Sequence, residues 1–220
     1  MSINIAIDGP SGSGKSTLAK RIAKRLGINY LDTGSMYRAA AYAAVQSGVD
    51  ARSEAEVDAL MSDIDLKTVY VRGEQHNLFR GQNVMPYIRT PEISTAASDI
   101  SAHPSVRHKL VAMQRDVAKN YDLVLDGRDI GTFVLPDAKY KFFVTADIKE
   151  RAKRRHLELQ QRGTPQPYED VLGEMRERDY NDTNRALAPL MQASDAVLID
   201  TTKMTIEDAV NEILRRIEQE

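Results

Sequence analysis

The sequence predicts an α/β fold in which a five-stranded parallel sheet is flanked by helices, and two observations support this. Short apolar runs typical of buried strands alternate along the chain with longer segments of helical periodicity. Such alternation is typical of a parallel sheet with helices on both faces. In addition, a G-x-x-x-x-G-K-[ST] motif lies between the first strand-like run and the first helical segment. This strand–loop–helix order is typical of P-loop proteins.

The predicted elements follow one another in a regular order. The strand-like runs are residues 4–7, 30–32, 122–126, 141–145 and 196–200. The segments with helical periodicity are residues 16–26, 36–47, 104–119, 149–161, 168–180 and 205–219. Because most of the strands are separated by helices, we expect parallel pairing with helical crossovers.

Residues 63–97 interrupt this order. "DLKTVYV" alternates like a half-exposed strand, "RGEQ" resembles a turn, and "HNLFRGQNV" resembles a single returning strand. We expect a small β-rich insertion that folds over a substrate. The same pattern also fits a surface hairpin that has no role in binding.

Composition excludes several classes of protein. The 220 residues suffice for one domain with an insertion, and the net charge of -2 gives no case for a nucleic-acid partner. The absence of cysteine excludes disulfides and thiolate metal sites. Neither a signal-like N-terminus nor an apolar run of membrane-spanning length is present. We therefore expect a cytoplasmic, monomeric protein of one domain, residues 1–220, with no membrane partner.

The motif in "DGPSGSGKST" predicts a site for nucleotide phosphates. Glycines let successive backbone N–H groups turn toward an anion, and the following helix adds the positive end of its dipole. Lys15 would reach the β- and γ-phosphates, and the Ser16 hydroxyl would ligate Mg²⁺. The residues expected to hold ATP are Gly9, Pro10, Ser11, Gly12, Ser13, Gly14, Lys15, Ser16 and Thr17.

A phosphate loop alone does not identify a reaction, because GTPases, transport ATPases, helicases and small-molecule kinases share it. The chain lacks the N-K-x-D guanine-binding tetrapeptide and the L-S-G-G-Q signature of ABC-type ATPases. These two absences argue against a GTPase and an ABC-type ATPase.

Two strand ends carry polar side chains that would point into the ligand crevice of a parallel sheet. In "LDTGSMYRAA", Arg38 could bind a phosphate, while Tyr37 could offer its ring or hydroxyl to a ligand or merely pack. In "YDLVLDGRDIGT", Asp126 ends a buried strand as a Walker-B acid does, and it would hold Mg²⁺ directly or through water. Arg128 and Asp129 project beyond that strand end, although such an adjacent pair could be a surface ion pair.

Two helical segments carry further arginines. Arg151, Arg154 and Arg155 are spaced i, i+3 and i+4, so they share one face, and an anion is the natural compensation for their charge. The segment about 150–168 could close as a lid, although a solvated basic face fits equally. Downstream, Arg178, Asp182 and Arg185 are spaced i, i+4 and i+7, which fits either a salt-bridge ladder or a site for a sugar and a phosphate.

Phosphoryl transfer accounts for all these clusters, because it needs in-line positioning and positive charge around the moving phosphoryl group. The residues expected to take part in catalysis are Lys15, Arg128, Arg151, Arg154, Arg155 and Arg178.

The motifs "DGPSGSGKST", "LDTGSMYR", "TAASDIS", "HPSVR", "LDGRDIGT" and "RDYNDTNRALAPL", in this order, resemble those of the bacterial cytidylate kinases over essentially the whole chain. The resemblance implies a P-loop kinase core with an enlarged monophosphate-binding insertion. It also implies Mg²⁺-dependent transfer from ATP to CMP or dCMP, a step of pyrimidine nucleotide metabolism.

The resemblance also implies roles for individual residues. Ser98, Arg107 and Asp129 would face the cytosine, and Asp182 would hold the ribose. The monophosphate would be held by Arg38, Arg128 and Arg185, while Ser35 and Tyr37 would line the same pocket. The chemistry is suitable, since a carboxylate can accept from the cytosine N4 amino group, and Arg or Ser can donate to N3 and O2.

Other functions remain open at this stage. A P-loop kinase could act on UMP, AMP or a shikimate-like acceptor, and an ATP-dependent switch without enzymatic activity is a further alternative. A shikimate-type kinase would resemble D-[ST]-D after the second strand, whereas Gly34 stands in place of the second acid here.

Overall fold

A five-stranded parallel sheet with the order β2–β6–β1–β7–β8 is the central element of the computed structural model, which describes residues 3–219. Its strands are β1 (Asn4–Asp8), β2 (Asn29–Asp32), β6 (Leu123–Gly127), β7 (Tyr140–Thr145) and β8 (Val197–Asp200). In the parallel register, Ile5 lies opposite Tyr140 and Phe142 lies opposite Val197. The predicted P-loop fold class and all five predicted strands are confirmed.

Eight α-helices belong to the described residues. They are α1 (Lys15–Leu26), α2 (Thr33–Gln46), α3 (Glu54–Ser62), α4 (Pro91–Ile100), α5 (Pro104–Asn120), α6 (Ile148–Gln161), α7 (Tyr168–Asn184) and α8 (Ile206–Glu218). Six of them lie where helical periodicity predicted them, and α3 and α4 were not predicted. The sequence carries a signal for the start of α4, because Thr90 caps that helix by accepting a hydrogen bond from the Ile93 N–H, and Pro91 follows the cap.

The region predicted as a β-rich insertion contains a separate antiparallel sheet of three strands. These are β3 (Leu66–Val71), β4 (Glu74–Phe79) and β5 (Gln82–Asn83). Arg72 and Gly73 both have positive φ angles, as a two-residue hairpin turn of type I′ requires. Arg80 and Gly81 repeat this geometry. The expectation of one returning strand is therefore wrong, because the chain reverses a second time at Arg80.

Burial of the central strands explains their uninterrupted apolar sequences. Ile5, Ala6 and Ile7 of β1 are fully buried, as are Leu123, Val124 and Leu125 of β6. A strand covered on both faces has no solvent side, so it does not alternate between apolar and polar residues. Leu198 on the edge strand β8 is 54% exposed. The central strands thus bring their carboxyl ends, with Asp8 and Asp126, to the same edge of the sheet.

The chain divides into two compact units. The first unit contains residues 29–123 together with residue 3, and the second contains residues 4–28 and 124–219. The second unit carries the phosphate loop, α6 and α7, and the first carries α2, α4, α5 and the small sheet. Within residues 3–219, no helix is both long enough and apolar enough to cross a membrane.

Candidate active site

The phosphate loop connects β1 to α1, and its backbone requires glycine at its start. Gly9 has a φ of +149°, and a Cβ atom there would lie 2.0 Å from the carbonyl oxygen of Val144 on β7. Gly12 has a φ of +74°, and a Cβ atom there would lie 3.2 Å from the carbonyl oxygen of Arg151. Both residues therefore hold the loop close to neighbouring backbone in a conformation that other residues rarely adopt. The motif predicted from the sequence thus has the local geometry of a phosphate loop.

Lys15 is the first residue of α1, and its side chain returns across the loop. Its Nζ donates to the carbonyl oxygen of Pro10 at 3.1 Å, and the residue is only 6% exposed. Burial and, to a smaller extent, the neighbouring Arg128 together lower the pKa of Lys15 to about 7, although Asp126 opposes the shift. A phosphate bound at the loop would stabilise the charged form of this buried lysine, so the position favours the binding of an anion.

Ser16 and Asp126 meet at the end of the phosphate loop. The Ser16 hydroxyl donates to Asp126 Oδ2 at 2.6 Å, although 110 residues separate the two in sequence. A hydroxyl beside a carboxylate is the donor set that Mg²⁺ uses in P-loop proteins. Among residues 3–219 there is no cluster of three or more His, Cys, Asp or Glu side chains suited to a metal.

Four charged residues of alternating sign are gathered beyond β6. Arg128 Nε donates to Asp182 Oδ2 at 2.7 Å, and Arg185 lies 3.2 Å from Asp129. A second nitrogen of Arg185 lies 3.9 Å from Asp182. Burial alone would raise the pKa of Asp182, but Arg128 and Arg178 lower it below its usual range. The structure thus brings together four residues that the sequence analysis assigned to substrate binding.

One detail of that expectation is wrong. Arg185 was predicted to share a helical face with Arg178 and Asp182, but α7 ends at Asn184. Arg185 caps the helix in an extended conformation, with φ -64° and ψ 143°. Its Nε donates to the carbonyl oxygen of Ala188 at 2.7 Å. The turn after the helix, and not helical spacing, directs Arg185 toward Asp129.

Each of the three arginines on α6 has partners within the protein. Arg151 is buried and donates to Asp179 at 2.7 Å and to the carbonyl oxygen of Ser11 at 3.0 Å. Arg154 donates to the carbonyl oxygen of Thr201 at 2.7 Å, and Arg155 pairs with Glu158 at 3.0 Å. These partners account for the three arginines without a bound anion. Their contribution to catalysis stays a prediction.

In the first unit, Asp32 at the end of β2 receives two guanidinium groups. Arg38 approaches its Oδ2 at 3.2 Å, and Arg89 approaches the same oxygen at 2.9 Å. The N–H of Ser35 also donates to Asp32, at 2.8 Å, which caps α2. Arg38 was predicted from the sequence and Arg89 was not. Nothing in the local sequence around Arg89 indicates that it would reach the same carboxylate.

The small sheet supports this cap through two amide side chains of β4. Asn77 Nδ2 and Gln75 Nε2 donate to the Ser35 hydroxyl oxygen at 2.9 and 3.0 Å, and the hydroxyl itself donates to the carbonyl oxygen of Asp32 at 2.7 Å. A hydroxyl has one donor and two acceptor sites, so that of Ser35 is fully used. Ser35 is completely buried. The sequence did not reveal Gln75 and Asn77, whose alternate spacing places both on one face of β4.

In the first unit, the two residues predicted to face the cytosine lie on α4 and α5, and Tyr37, predicted to line the pocket, lies on α2. Arg107 is 1% exposed, and its guanidinium carbon lies 5.6 Å from the centre of the Tyr37 ring. One of its nitrogens donates to the carbonyl oxygen of Ser101 at 3.4 Å. Ser98 on α4 is half-buried. The structure therefore places Tyr37 and Arg107 in contact, as residues of one site would be.

Comparison with known proteins gives a consistent result. The profile of the cytidylate kinase family matches residues 5–219. The cytidylate kinase of Caldicellulosiruptor saccharolyticus is 46% identical over 212 residues, which cover 96% of this chain and 94% of that protein. The cytidylate kinase of Ligilactobacillus salivarius is 46% identical over 217 residues, which cover 99% of this chain and 97% of that protein.

A solved structure adds support for the fold alone. An uncharacterized protein from Eubacterium ventriosum is similar over the whole of both chains, with a TM-score of 0.52 and 15% sequence identity. The family profile matches from the first strand to the last helix, and the phosphate loop lies within the matched residues. The chain belongs to the cytidylate kinase family.

Proposed function

We propose that the chain transfers the γ-phosphoryl group of ATP to CMP, giving ADP and CDP, and that dCMP is also an acceptor. The observation that carries this proposal is the phosphate loop of a cytidylate kinase family member, with Lys15 buried across it and Ser16 2.6 Å from Asp126. The competing acceptors and the non-enzymatic switch have no observation in their favour. With a net charge of -2, the chain offers no electrostatic reason for a nucleic-acid partner.

ATP would be held by the loop from Gly9 to Thr17. The Ser13 hydroxyl in this loop is buried and has no hydrogen-bond partner among the described residues, which fits a loop that binds a polar ligand. Ser16 and Asp126 would hold Mg²⁺, and the ion, when bound, neutralises charge on the β- and γ-phosphates. Lys15 would place its ammonium beside the same phosphates.

The chain's own positive charge would stabilise the transferring phosphoryl group. Arg128 and Arg178 lie close enough to Lys15 to lower its pKa, so the three cations share one neighbourhood of the second unit. Several positive groups held together before the reaction stabilise charge that develops in the transition state. Bound phosphates would in turn relieve the repulsion among these cations.

The first set of residues expected to hold CMP belongs to the second unit. In the second unit, Arg128 and Arg185 would bind the monophosphate, Asp182 the ribose and Asp129 the cytosine. Each is already oriented by an ion pair within the unit. Such pairs fix side-chain rotamers before the ligand arrives, which lowers the entropy cost of binding.

In the first unit, Arg38 would bind the monophosphate, with Arg89 beside it on the same Asp32 carboxylate. Ser98 and Arg107 would bind the cytosine, and Tyr37 would line the pocket. Because the Ser35 hydroxyl is fully used, we assign Ser35 a supporting role at the start of α2. The small sheet within residues 63–97 would contribute through Gln75 and Asn77, which hold that helix end in place.

The segment about 150–168 would serve as a lid that excludes water from the phosphoryl group. Arg151 already contacts the carbonyl oxygen of Ser11 in the phosphate loop, so movement of α6 would be felt directly at the ATP phosphates.

The test is an assay of ADP release with Mg²⁺, ATP and a panel of acceptors at equal concentrations. The panel contains CMP, dCMP, UMP, AMP, GMP and shikimate. CMP is expected to give the highest kcat/KM, and shikimate is expected not to react. Turnover of AMP or shikimate above that of CMP would contradict the proposal.

A further inference from the structure

Asp8 is a buried carboxyl group to which phosphoryl transfer assigns no role. It is the last residue of β1, directly before Gly9, and it is 5% exposed. A buried carboxylate without a partner would be costly, so the groups that it contacts indicate what it does.

Its two oxygens accept hydrogen bonds from two successive backbone amides. Oδ1 accepts from the N–H of Ile130, and Oδ2 accepts from the N–H of Gly131, each at 2.7 Å. These are short bonds to a group able to carry charge, and two parallel bonds fix orientation as well as position. The peptide units that follow Asp129 are thereby held in one place relative to the start of the phosphate loop.

Gly131 is enclosed on its other side as well. A Cβ atom at this position would lie 3.2 Å from Lys141 Cδ and 3.4 Å from Asp8 Oδ2. The Lys141 ammonium is fixed by Asp195 at 2.6 Å and by the carbonyl oxygen of Pro136. The methylene chain of Lys141 thus covers the peptide that Asp8 binds, and a larger residue at Gly131 would have to displace one of the two.

The segment that Asp8 holds begins a short π-helix, Ile130–Val134. The N–H groups of Phe133 and Val134 both donate to the carbonyl oxygen of Asp129, at 2.9 and 3.0 Å. Asp129 is therefore fixed on its carbonyl side by the π-helix, and the π-helix is fixed by Asp8. Arg128 lies one residue earlier on the same short connection from β6.

We infer that Asp8 is a positioning residue that sets the placement of Arg128 and Asp129 against the phosphate loop. This inference rests on the proposed roles of Arg128 and Asp129 in holding CMP. Because Gly9 follows Asp8 directly, one residue ties the loop assigned to ATP to the segment assigned to the monophosphate nucleotide. The chemistry of the carboxylate explains why an acid stands here, since two acceptor oxygens are needed for two amide donors.

Asp8→Asn tests the inference, because asparagine keeps the volume but offers one acceptor oxygen and one amide group. Its NH₂ would face a backbone N–H, so one of the two bonds is lost. We expect the KM for CMP to rise about tenfold, the effect of losing one charge-assisted bond, while the KM for ATP stays within about threefold. Direct titration of CMP into the variant should show the same loss of affinity.

Gly131→Ala is a second variant that perturbs the same peptide without changing Asp8. Its Cβ atom would press on Lys141 and on Asp8 Oδ2, so it should also raise the KM for CMP selectively. It keeps the inference testable if Asp8→Asn does not fold. Val210→Ala is the matched control, because Val210 is fully buried on α8, and α8 supplies none of the contacts described above for Asp8 and Gly131.

The outcomes separate the possibilities. A selective rise in the KM for CMP in both variants, absent from Val210→Ala at a comparable loss of thermal stability, supports the inference. Equal changes for CMP and ATP, or changes no larger than those of the control, overturn it. A wild-type protein that does not phosphorylate CMP would instead overturn the proposed function, and these results are distinguishable because only the latter involves the unaltered chain.

Discussion

The Ser16 hydroxyl donates to Asp126 Oδ2 at 2.6 Å and thereby joins the first turn of α1 to the end of β6. Ser16 is exposed while Asp126 is only 4% exposed. The carboxylate is thus held by a hydroxyl that a solvent-borne Mg²⁺ can reach.

Removing the Asp126 charge should weaken the use of Mg²⁺. In Asp126→Asn the side chain still fits, but a neutral amide binds a hard cation less well than a carboxylate does. We expect the Mg²⁺ concentration for half-maximal rate to rise at least about tenfold. The measurement is a Mg²⁺ titration at saturating ATP and CMP. Asp122→Asn is the control, because Asp122 is exposed and directly precedes β6. An equal shift in both variants would contradict the assignment of Asp126 to the metal.

Lys15→Ala should nearly abolish turnover without unfolding the protein. In the proposed function the ammonium would stabilise charge on the transferring phosphoryl group, so its loss should cost roughly 2.7–4 kcal/mol or more in the activation free energy. The measurement is kcat at saturating substrates, with circular dichroism to verify folding. Lys24→Ala removes an exposed lysine from the same helix and should retain normal kcat. Near-normal kcat in folded Lys15→Ala would remove Lys15 from catalysis.

Arg155 and Arg162 provide a matched pair for the lid. Both contact Glu158, at 3.0 and 2.5 Å, so replacing either by glutamine breaks an equivalent surface ion pair. If Arg155 meets phosphate on closure, Arg155→Gln should lower kcat more than it raises the KM for CMP. Arg162→Gln should leave both nearly unchanged. Identical kinetics in the two variants would show that Arg155 belongs to a solvated basic face and does not contact phosphate.

Replacing Arg151 should affect stability as well as activity. Arg151 is buried between Asp179 and the phosphate loop, so Arg151→Ala leaves a poorly exposed carboxylate without its partner. We expect a loss of roughly 3–5 kcal/mol in the free energy of unfolding in addition to a fall in kcat. Urea denaturation measures the first effect. A variant as stable as the wild type would show that this ion pair contributes little to the fold.

Asp8 should make stability depend on pH in an unusual direction. Burial raises the pKa of Asp8 from 3.8 to about 7, although the amides of Gly131 and Ile130 oppose the shift. Between these values the folded state binds more protons than the unfolded state, so this group's contribution to stability falls as pH rises. Relative to Asp8→Asn, the wild type should lose roughly 1.4 kcal/mol per pH unit between about pH 5 and pH 7. Above pH 7 the difference should be constant. Denaturation at several pH values measures it, and a difference that increased with pH would contradict the assignment.

Base choice should depend on Asp129. We expect kcat/KM for CMP to exceed that for UMP by at least about a hundredfold, because uracil would leave buried polar groups unpaired. Asp129→Asn should reduce that ratio, since an amide can donate to the uracil O4 that a carboxylate repels. AMP and GMP should be poor acceptors. UMP within about threefold of CMP in the wild type would defeat the assignment of Asp129 to cytosine.

The sequence alone was sufficient for features that depend on local spacing. The phosphate loop, the buried strands and the amphipathic helices each rest on contiguous residues, and periodicity reveals them directly. The sequence also indicated Arg128 and Asp129, because they follow the end of a strand, where a parallel sheet gathers its ligands. It indicated Asp182 and Arg185 through their helical spacing and the family resemblance. The mutual ion pairs of these four residues confirm that they are neighbours.

Local spacing was misleading where a chain reversal intervenes. Arg185 fits a helical face by count, but the helix ends one residue earlier. The segment read as one returning strand reverses at Arg80 and Gly81, since both adopt positive φ angles. Hydrophobic periodicity does not reveal positive φ angles, which only turn residues such as glycine indicate.

Only the tertiary structure revealed which partners satisfy the buried polar groups. Nothing adjacent to Asp8 in sequence indicates the amides of Ile130 and Gly131, which are 122 and 123 residues away. Likewise, Gln75 and Asn77 reach Ser35 across about forty residues. The physical reason is that a hydrogen bond depends on donor and acceptor meeting within about 3 Å, and for residues far apart in sequence the packing of the elements alone decides which groups meet.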